Sequence, residues 1–215
     1  AYSVIERLAA FLEEKMVVAA AEATNMMLDD LLDRTGRKLQ LSETAHQQAS
    51  DRYKTIADWL SADGSEVARY APHIYTQGSL RIGTTVKPRG REEYDLDLVC
   101  EFKDLDWRLF PGPEKLLDMV ENRLLENGTY RLMVERKNRC IRITYANQFH
   151  MDILPACPNP TAGLHCVVVP DCAAQGWKDS NPKGYALWFE RMAEEAIIKL
   201  KRNAEPLPSQ AAYDD

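Results

Sequence analysis

The sequence predicts an α+β protein in which helices precede a small, mixed and mostly antiparallel sheet. Residues 3–33 are rich in Ala, Leu, Met and Glu and contain neither Gly nor Pro, a composition that favours helix. After Pro72 the chain changes to short β-prone segments separated by turn residues. One helical stretch interrupts these segments and another follows them, an order that is typical of an α+β domain.

Two helices are predicted before the sheet. The first covers residues 3–33 and is expected to end by Gly36, because glycine is a poor helix residue. Ser42 is a suitable N-cap for the second helix, which covers residues 43–60. The apolar residues of this second helix recur at helical spacing: Ala45, Ala49, Ile56 and Leu60. Both helices are therefore expected to pack behind the sheet.

The region after Pro72 contains the predicted strands. They cover residues 73–78, 91–102, 129–137, 139–146, 149–156 and 164–170. A helix is predicted at 113–128, with Pro113 in its first turn and Gly128 at its end. A last helix covers 181–204, and the two prolines after it indicate a linker. In this last helix Tyr185, Trp188 and Phe189 recur at helical spacing and are expected to belong to the core.

The stretch YDLDLV places two carboxylates next to each other. In a strand Asp95 and Asp97 point to one face, and the leucines between and after them point to the other. Neighbouring carboxylates repel each other unless a cation lies between them. Magnesium binds carboxylate oxygens and usually keeps waters and substrate phosphates as further ligands. The pattern therefore favours a divalent metal site on one face of this strand.

A third carboxylate lies in the predicted strand FHMDILP. Asp152 is the only acidic residue there and alternates with Phe149, Met151 and Ile153. An aspartate in such surroundings is either in a salt bridge or a metal ligand. If its strand lies beside the strand of Asp95 and Asp97, three carboxylates converge, as a two-metal phosphoryl-transfer site requires.

The turn before the first two aspartates is suited to phosphate. Gly78 lets the backbone approach closely, and the N–H groups of Gly78 and Ser79 can donate to phosphate oxygens. The Ser79 hydroxyl is a further donor. Basic residues in the following loop can neutralise the remaining charge: Arg81, Lys87, Arg89 and Arg91. The turn is predicted to hold a triphosphate, and the carboxylates to hold the metals.

Composition excludes several other classes of protein. The formal net charge of −6 argues against a broad nucleic-acid-binding surface. No apolar run approaches the roughly 20 residues of a membrane span, and the N-terminal stretch is acidic where a signal peptide would be basic. The five cysteines form no CxxC pair and match no compact zinc spacing. These features predict a cytoplasmic protein without a membrane partner.

In this order, the residues resemble the DNA polymerase β-type nucleotidyltransferase superfamily. Its pattern is a Gly-Ser pair, a short spacer, Asp-x-Asp on a strand, and a later single Asp on a neighbouring strand. Here these are Gly78-Ser79, Asp95-x-Asp97 and Asp152. The resemblance implies a polymerase β-like nucleotidyltransferase core, with a mixed, mostly antiparallel sheet flanked by the long N-terminal helices.

More narrowly, the chain resembles the bacterial cGAS/DncV-like nucleotidyltransferases (CD-NTases), which produce the signals of CBASS antiphage systems. The quoted stretches YTQGSLRIGTTVKP, EEYDLDLVCEF, FHMDILPA and WKDSNPKGYALWFE carry this resemblance. It implies that the three aspartates are catalytic and hold two Mg²⁺ ions, with Mn²⁺ as a substitute. It also implies that Gly78 and Ser79 hold the donor triphosphate and that Gln77 lines the nucleotide pocket.

The function implied by this resemblance is synthesis of a cyclic di- or trinucleotide from ATP, GTP or other NTPs, with release of pyrophosphate. Regulatory proteins of a CBASS operon would be its partners. Other activities of the superfamily remain open: linear oligoadenylate synthesis, RNA-tail addition and small-molecule nucleotidyl transfer. An inactive nucleotide-binding module is the alternative outside the enzymes.

The resemblance also divides the chain. Residues 1–72 are the N-terminal helices packing on the core, and residues 73–203 are the nucleotidyltransferase catalytic core. Residues 204–215 are a linker toward a helical C-terminal lobe that members of this group usually carry and that this chain lacks.

Overall fold

The computed structural model of the protein describes residues 4–89, 93–146 and 148–204. Its α-helices are α1 (Val4–Leu39), α2 (Glu43–Ser61), α3 (Gly78–Ile82), α4 (Pro113–Leu125) and α5 (Pro182–Ala204). Its strands are β1 (Pro72–Thr76), β2 (Tyr94–Phe102), β3 (Val134–Arg136), β4 (Ile141–Tyr145), β5 (Phe149–Pro158), β6 (Val167–Asp171) and β7 (Gly176–Ser180). None of the helices in these ranges has the length and apolar character needed to cross a membrane.

Helix α1 forms a unit of its own, and the second unit begins at Ser42. The prediction that this helix ends by Gly36 is wrong, because α1 continues to Leu39. A single glycine costs a helix only about 1 kcal/mol. The ion pair between Arg37 and Asp33, at 2.9 Å, supports the helix across that turn.

The second unit is built on one sheet, which has seven strands in the part of the chain that is described. The order is β1-β2-β5-β4-β3, and β6 and β7 extend the sheet from the end of β5. Strands β2 and β5 are parallel, and the remaining neighbours are antiparallel. The prediction of an α+β fold with a mixed, mostly antiparallel sheet is therefore confirmed.

The larger hydrophobic core lies on one face of this sheet. Alternate residues of β2 and β5 point into it and are fully buried, among them Leu96, Leu98 and Ile153. Ile56 and Leu60 of α2 belong to the same hydrophobic cluster, so α2 packs behind the sheet as predicted. The predicted N-cap of α2 is confirmed too, because the Ser42 hydroxyl oxygen accepts a hydrogen bond from the Ala45 N–H at 3.2 Å. The opposite face of β2 and β5 carries the aspartates at one end and, further along the strands, a smaller hydrophobic cluster that includes Val99 and Ala156.

One predicted strand needs correction, and two further elements were missed. Only Val134–Arg136 of the predicted strand 129–137 is a strand. The residues before it form turns, in which the Asn127 side chain accepts from the Thr129 N–H at 2.9 Å, because asparagine competes locally for backbone donors. The short helix α3 and the strand β7 were not predicted from the sequence.

Candidate active site

The three predicted aspartates lie on two adjacent strands. Strands β2 and β5 run parallel in a register that pairs Asp97 with Asp152 and Asp95 with His150. Paired residues of neighbouring strands point to the same face, so Asp97 and Asp152 leave the sheet side by side. Asp95, two residues before Asp97 on the same strand, shares that face. The structure thus brings the three acidic residues together, on the face opposite the core.

This crowding has an electrostatic consequence for Asp97. Its carboxyl pKa is raised, first because burial disfavours the charged form and then because Asp152 and Asp95 are negatively charged. Arg142 acts in the opposite direction without removing the effect. The surroundings of Asp97 therefore do not fully compensate its negative charge.

The Gly-Ser turn lies against the same carboxylate. The Gln77 N–H donates to the Asp97 carbonyl oxygen at 2.8 Å, which continues the β1–β2 pairing into the turn. Gly78 has a φ of +60°, and a Cβ at this position would collide with Oδ2 of Asp97. Only glycine can adopt this positive φ and leave the space beside Asp97 free without strain. The Ser79 hydroxyl oxygen lies 3.2 Å from the Thr85 hydroxyl, which orders the start of α3.

A basic residue that the sequence reasoning missed completes the site. Arg142 of β4 is the register partner of Asp152. Its Nε donates to Oδ1 of Asp152 and its Nη2 to Oδ2, both at 2.7 Å. The same Nη2 lies 3.4 Å from Oδ1 of Asp95. Of the two roles left open for Asp152, the structure displays the salt bridge.

The donor set fits a hard divalent cation. Arg142 donates a hydrogen bond to each oxygen of Asp152. In the described ranges no group of three acidic, histidine or cysteine side chains is already arranged so that it could hold a metal ion. The donors themselves are carboxylate oxygens, which Mg²⁺ prefers. Asp97 is crowded by like charge, and Gly78 leaves the space that its carboxylate occupies. Asp95, Asp97 and Asp152 are therefore the residues that could hold such an ion.

A cavity of about 430 Å³ opens next to these residues. Its lining comes from the Gly-Ser turn, β2, β7 and the start of α5: Gln77, Gly78, Asp97, Ser180, Asn181, Pro182 and Tyr185. Asn181 caps α5 by accepting from the Gly184 N–H at 2.8 Å, and this fixes the direction of the helix at the cavity. The cavity is large enough to hold part of a nucleotide beside Asp97.

The prediction that the late aromatic residues belong to the core is wrong: Tyr185 and Trp188 are exposed, and Phe189 is half-buried and belongs to neither described hydrophobic cluster. The exposed fractions are 54% for Tyr185 and 48% for Trp188. Their ring centroids lie 5.7 Å apart on an exposed face of α5. The two residues do share one face of the helix, as their spacing predicts, but that face is exposed. Tyr185 therefore joins the candidate site as a residue that sequence reasoning assigned elsewhere.

Several other polar side chains around the site pair with residues outside it. His150 Nε2 lies 3.0 Å from Oε2 of Glu93, and its Nδ1 lies 3.4 Å from the Thr144 hydroxyl. Lys183 donates to Glu101 at 3.3 Å. Of the basic residues in the loop, Arg81 is paired with Glu190 of α5. Arg91 lies outside the described residues.

Comparison with known proteins gives a consistent result. Residues 26–192 match the family described as the Second Messenger Oligonucleotide or Dinucleotide Synthetase domain. The chain is 35% identical over 173 residues to a c-di-GMP synthase of Roseivirga ehrenbergii, covering 80% of this chain and 46% of that protein. It is also 35% identical over 130 residues to the cyclic dinucleotide synthase CdnG of Bradyrhizobium diazoefficiens, covering 60% of this chain and 30% of that protein.

The fold is shared with a solved relative. The structure of the Bradyrhizobium diazoefficiens CD-NTase CdnG in complex with GTP superposes with a TM-score of 0.59 at 31% identity, over 70% of this chain and 42% of that one. The chain thus spans less than half the length of each of these relatives. The family match covers most of the chain and includes the Gly-Ser turn and all three aspartates. The chain therefore belongs to the second messenger oligonucleotide or dinucleotide synthetase family, that is, to the bacterial cGAS/DncV-like nucleotidyltransferases.

Proposed function

We propose that this chain is the catalytic part of a metal-dependent nucleotidyltransferase, which makes a cyclic di- or trinucleotide second messenger from NTPs in antiphage defence. One observation carries the proposal: the register of β2 and β5 pairs Asp97 with Asp152, and Gly78 of the Gly-Ser turn lies against the Asp97 carboxylate. A phosphate-binding turn next to clustered carboxylates is what transfer of a nucleotidyl group requires.

The substrates in this proposal are ATP, GTP or other NTPs. Support comes from the relatives, of which one is named a c-di-GMP synthase and another was solved with GTP. The 430 Å³ cavity beside Asp97 provides space for the nucleotide. Its lining of backbone, amide and aromatic groups suits a base and a triphosphate better than an apolar ligand.

Each residue of the site has a defined task. The backbone N–H groups of Gly78 and Ser79, with the Ser79 hydroxyl, hold the donor triphosphate, and Gln77 lines the nucleotide pocket. Asp95, Asp97 and Asp152 hold two divalent cations, Mg²⁺ or Mn²⁺, which when bound would activate the attacking ribose hydroxyl and neutralise the leaving pyrophosphate. No side chain of the protein acts as nucleophile, because the acceptor is a ribose hydroxyl and the protein positions the two nucleotides.

A division into lobes belongs to the same proposal. In it, residues 1–72 are the N-terminal helices, residues 73–203 are the catalytic core, and residues 204–215 are a linker toward a helical lobe. Two observations support this: the chain spans less than half the length of the relatives it matches, and α5 carries the exposed Tyr185 at the cavity. The protein works in the cytoplasm with regulatory partners of its operon.

The test is product formation by the chain extended with such a lobe. The protein is incubated with each pair of labelled NTPs and Mg²⁺ or Mn²⁺, pyrophosphate is measured, and the product is identified by mass spectrometry. The double variant Asp95→Ala/Asp97→Ala should lose turnover and keep its circular dichroism spectrum. The matched control is Asp58→Ala/Asp63→Ala, which removes two exposed acids and should behave like the unmodified protein.

Each of the other possible results of this experiment would indicate a different function or a different site. Turnover that survives in the Asp95/Asp97 double variant would show that the active site lies elsewhere. A linear product, or a nucleotide added to RNA or to a small molecule, would replace the cyclase with another transferase of the superfamily. Tight nucleotide binding without any pyrophosphate would favour an inactive nucleotide-binding module.

A further inference from the structure

Arg142 occupies the position at which a cation is needed. It lies on β4, directly across from Asp152 on β5, and Asp152 lies directly across from Asp97 on β2. The three side chains therefore form one row across three adjacent strands. Asp152 is held by two parallel hydrogen bonds of 2.7 Å from the guanidinium, with 17% of its side chain exposed.

This geometry leaves Asp152 few free lone pairs for a metal. A guanidinium that donates to both oxygens of a carboxylate uses the inner lone pairs of each oxygen. The positive charge of Arg142 would also repel a second cation placed between Asp152 and Asp95, since its Nη2 lies 3.4 Å from Asp95. A divalent ion can use Asp152 fully only when Arg142 gives up at least one of these contacts.

We propose that Arg142 is a displaceable counter-ion of Asp152, which competes with the divalent cation and weakens metal binding to the nucleotide-free protein. This inference rests on the proposed function, because it takes the three aspartates as the metal ligands. The competition ties full metal loading to the arrival of a nucleotide, whose phosphates supply additional ligands for the ion. Arg142 is thus a positioning residue, which acts through Asp152 rather than on the substrate.

The experiment measures Mn²⁺ affinity of the 215-residue chain without nucleotide, by isothermal titration and by the electron paramagnetic resonance signal of free Mn²⁺. Arg142→Met removes the charge and keeps the length of the side chain. Arg142→Lys keeps the charge, but a single ammonium group cannot bind both carboxylate oxygens in the same fixed way. Asp97→Asn identifies the binding that belongs to this site.

Arg139→Met is the matched control. Arg139 also binds an aspartate with two nitrogens, donating to Asp171 at 3.0 and 2.5 Å, and it does not contact the three aspartates in any described interaction. Its replacement changes the net charge by the same amount as Arg142→Met. A difference between the two variants therefore reports the position of the charge and not the total charge of the protein.

We expect Arg142→Met to bind Mn²⁺ about tenfold more tightly than the unmodified protein, because the metal no longer has to break an ion pair. A tenfold change in affinity corresponds to the energy of about one such pair. Arg142→Lys should lie between the two, and Arg139→Met should stay within about twofold of the unmodified protein. In EDTA the melting temperature of Arg142→Met should be lower than that of the unmodified protein, and Mn²⁺ should reduce this difference.

Two results overturn the inference, and they can be distinguished. If Mn²⁺ binding depends on Asp97 but has the same or lower affinity in Arg142→Met, Arg142 does not compete with the metal and the proposed active site remains. If no Mn²⁺ binding depends on Asp97 in any variant, the metal site itself is absent and the proposed function fails as well. Should Arg142→Met not fold, Arg142→Lys decides by the same criterion, with unchanged affinity overturning the inference.

Discussion

Asp97 and Asp152 are register partners on adjacent parallel strands, and both carboxylates leave the sheet on the same side. The strands of such a pair are about 4.8 Å apart, so two like charges are held close together by the backbone itself. A compensating cation stabilises the charged form of such a pair. Arg142 provides one in the present structure, bound to Asp152.

Replacing Asp97 with Asn should stabilise the protein in a pH-dependent way. The pKa of Asp97 is raised in the folded state by burial and by its acidic neighbours, so protonation favours folding. Stability is therefore lost as pH rises from the ordinary carboxyl pKa of about 3.9 through the raised value. Asp97→Asn should gain about 1 kcal/mol near neutral pH, and the gain should vanish at acid pH.

Urea unfolding over a range of pH, in EDTA so that metal does not contribute, measures this gain. The exposed Asp63→Asn serves as a control for the loss of one charge and should show little change. A gain of equal size at every pH would contradict the explanation, as would a loss of stability near neutral pH.

Gly78→Ala should damage the site more than the same change at another glycine with positive φ. Gly64 has a φ of +82°, and a Cβ at this position would have no atom within 4 Å. Gly64→Ala therefore measures backbone strain alone, and we expect it to lower the free energy of unfolding by about 1 kcal/mol. Gly78→Ala adds a collision with the Asp97 carboxylate and should cost about 3 kcal/mol.

The comparison uses thermal and urea unfolding of both variants, together with binding of a non-hydrolysable GTP analogue. Gly64→Ala should bind the analogue normally, whereas Gly78→Ala should bind it poorly because the phosphate-binding turn has moved. Equal losses of stability in the two variants, with analogue binding retained, would show that the contact between Gly78 and Asp97 has no special role.

Tyr185→Ala should weaken nucleotide binding and leave the fold intact. The side chain is largely exposed and lines the cavity beside Asp97, where its ring can stack on a nucleobase. Loss of one stacking contact corresponds to about tenfold in affinity, while stability should change by less than about 0.5 kcal/mol. Tyr185→Phe keeps the ring and should bind normally. Unchanged affinity in Tyr185→Ala, measured by isothermal titration with the GTP analogue, would remove Tyr185 from the site.

Some of the site was predictable because it depends on alternation within single strands. The period of two along YDLDLV is enough to bring Asp95 and Asp97 to one face and the leucines to the core. A signal for Arg142 was also available. If the predicted strands 139–146 and 149–156 form a hairpin with a short turn between them, residue 142 can pair with residue 152, and this pairing would have identified the salt bridge.

The aromatic residues of α5 show what helical spacing in the sequence cannot predict. Helical spacing indicates that side chains share a face, but it does not say whether that face meets a sheet or a cleft. Tyr185 and Trp188 share a face of α5 that is exposed, while Ala186 on another face is buried. The same limit explains why α3 was missed, since a helix of this length has little pattern of its own.

The sequence by itself determined the α+β class, the strands that carry the aspartates and the family, because these depend on local periodicity and on motifs that are continuous along the chain. Only the tertiary structure decided that Asp152 lies beside Asp97, that Arg142 lies beside Asp152, and that Tyr185 borders the cleft. Strand order and register are set by which hydrophobic faces can be buried together in three dimensions, and that information is distributed over the whole core.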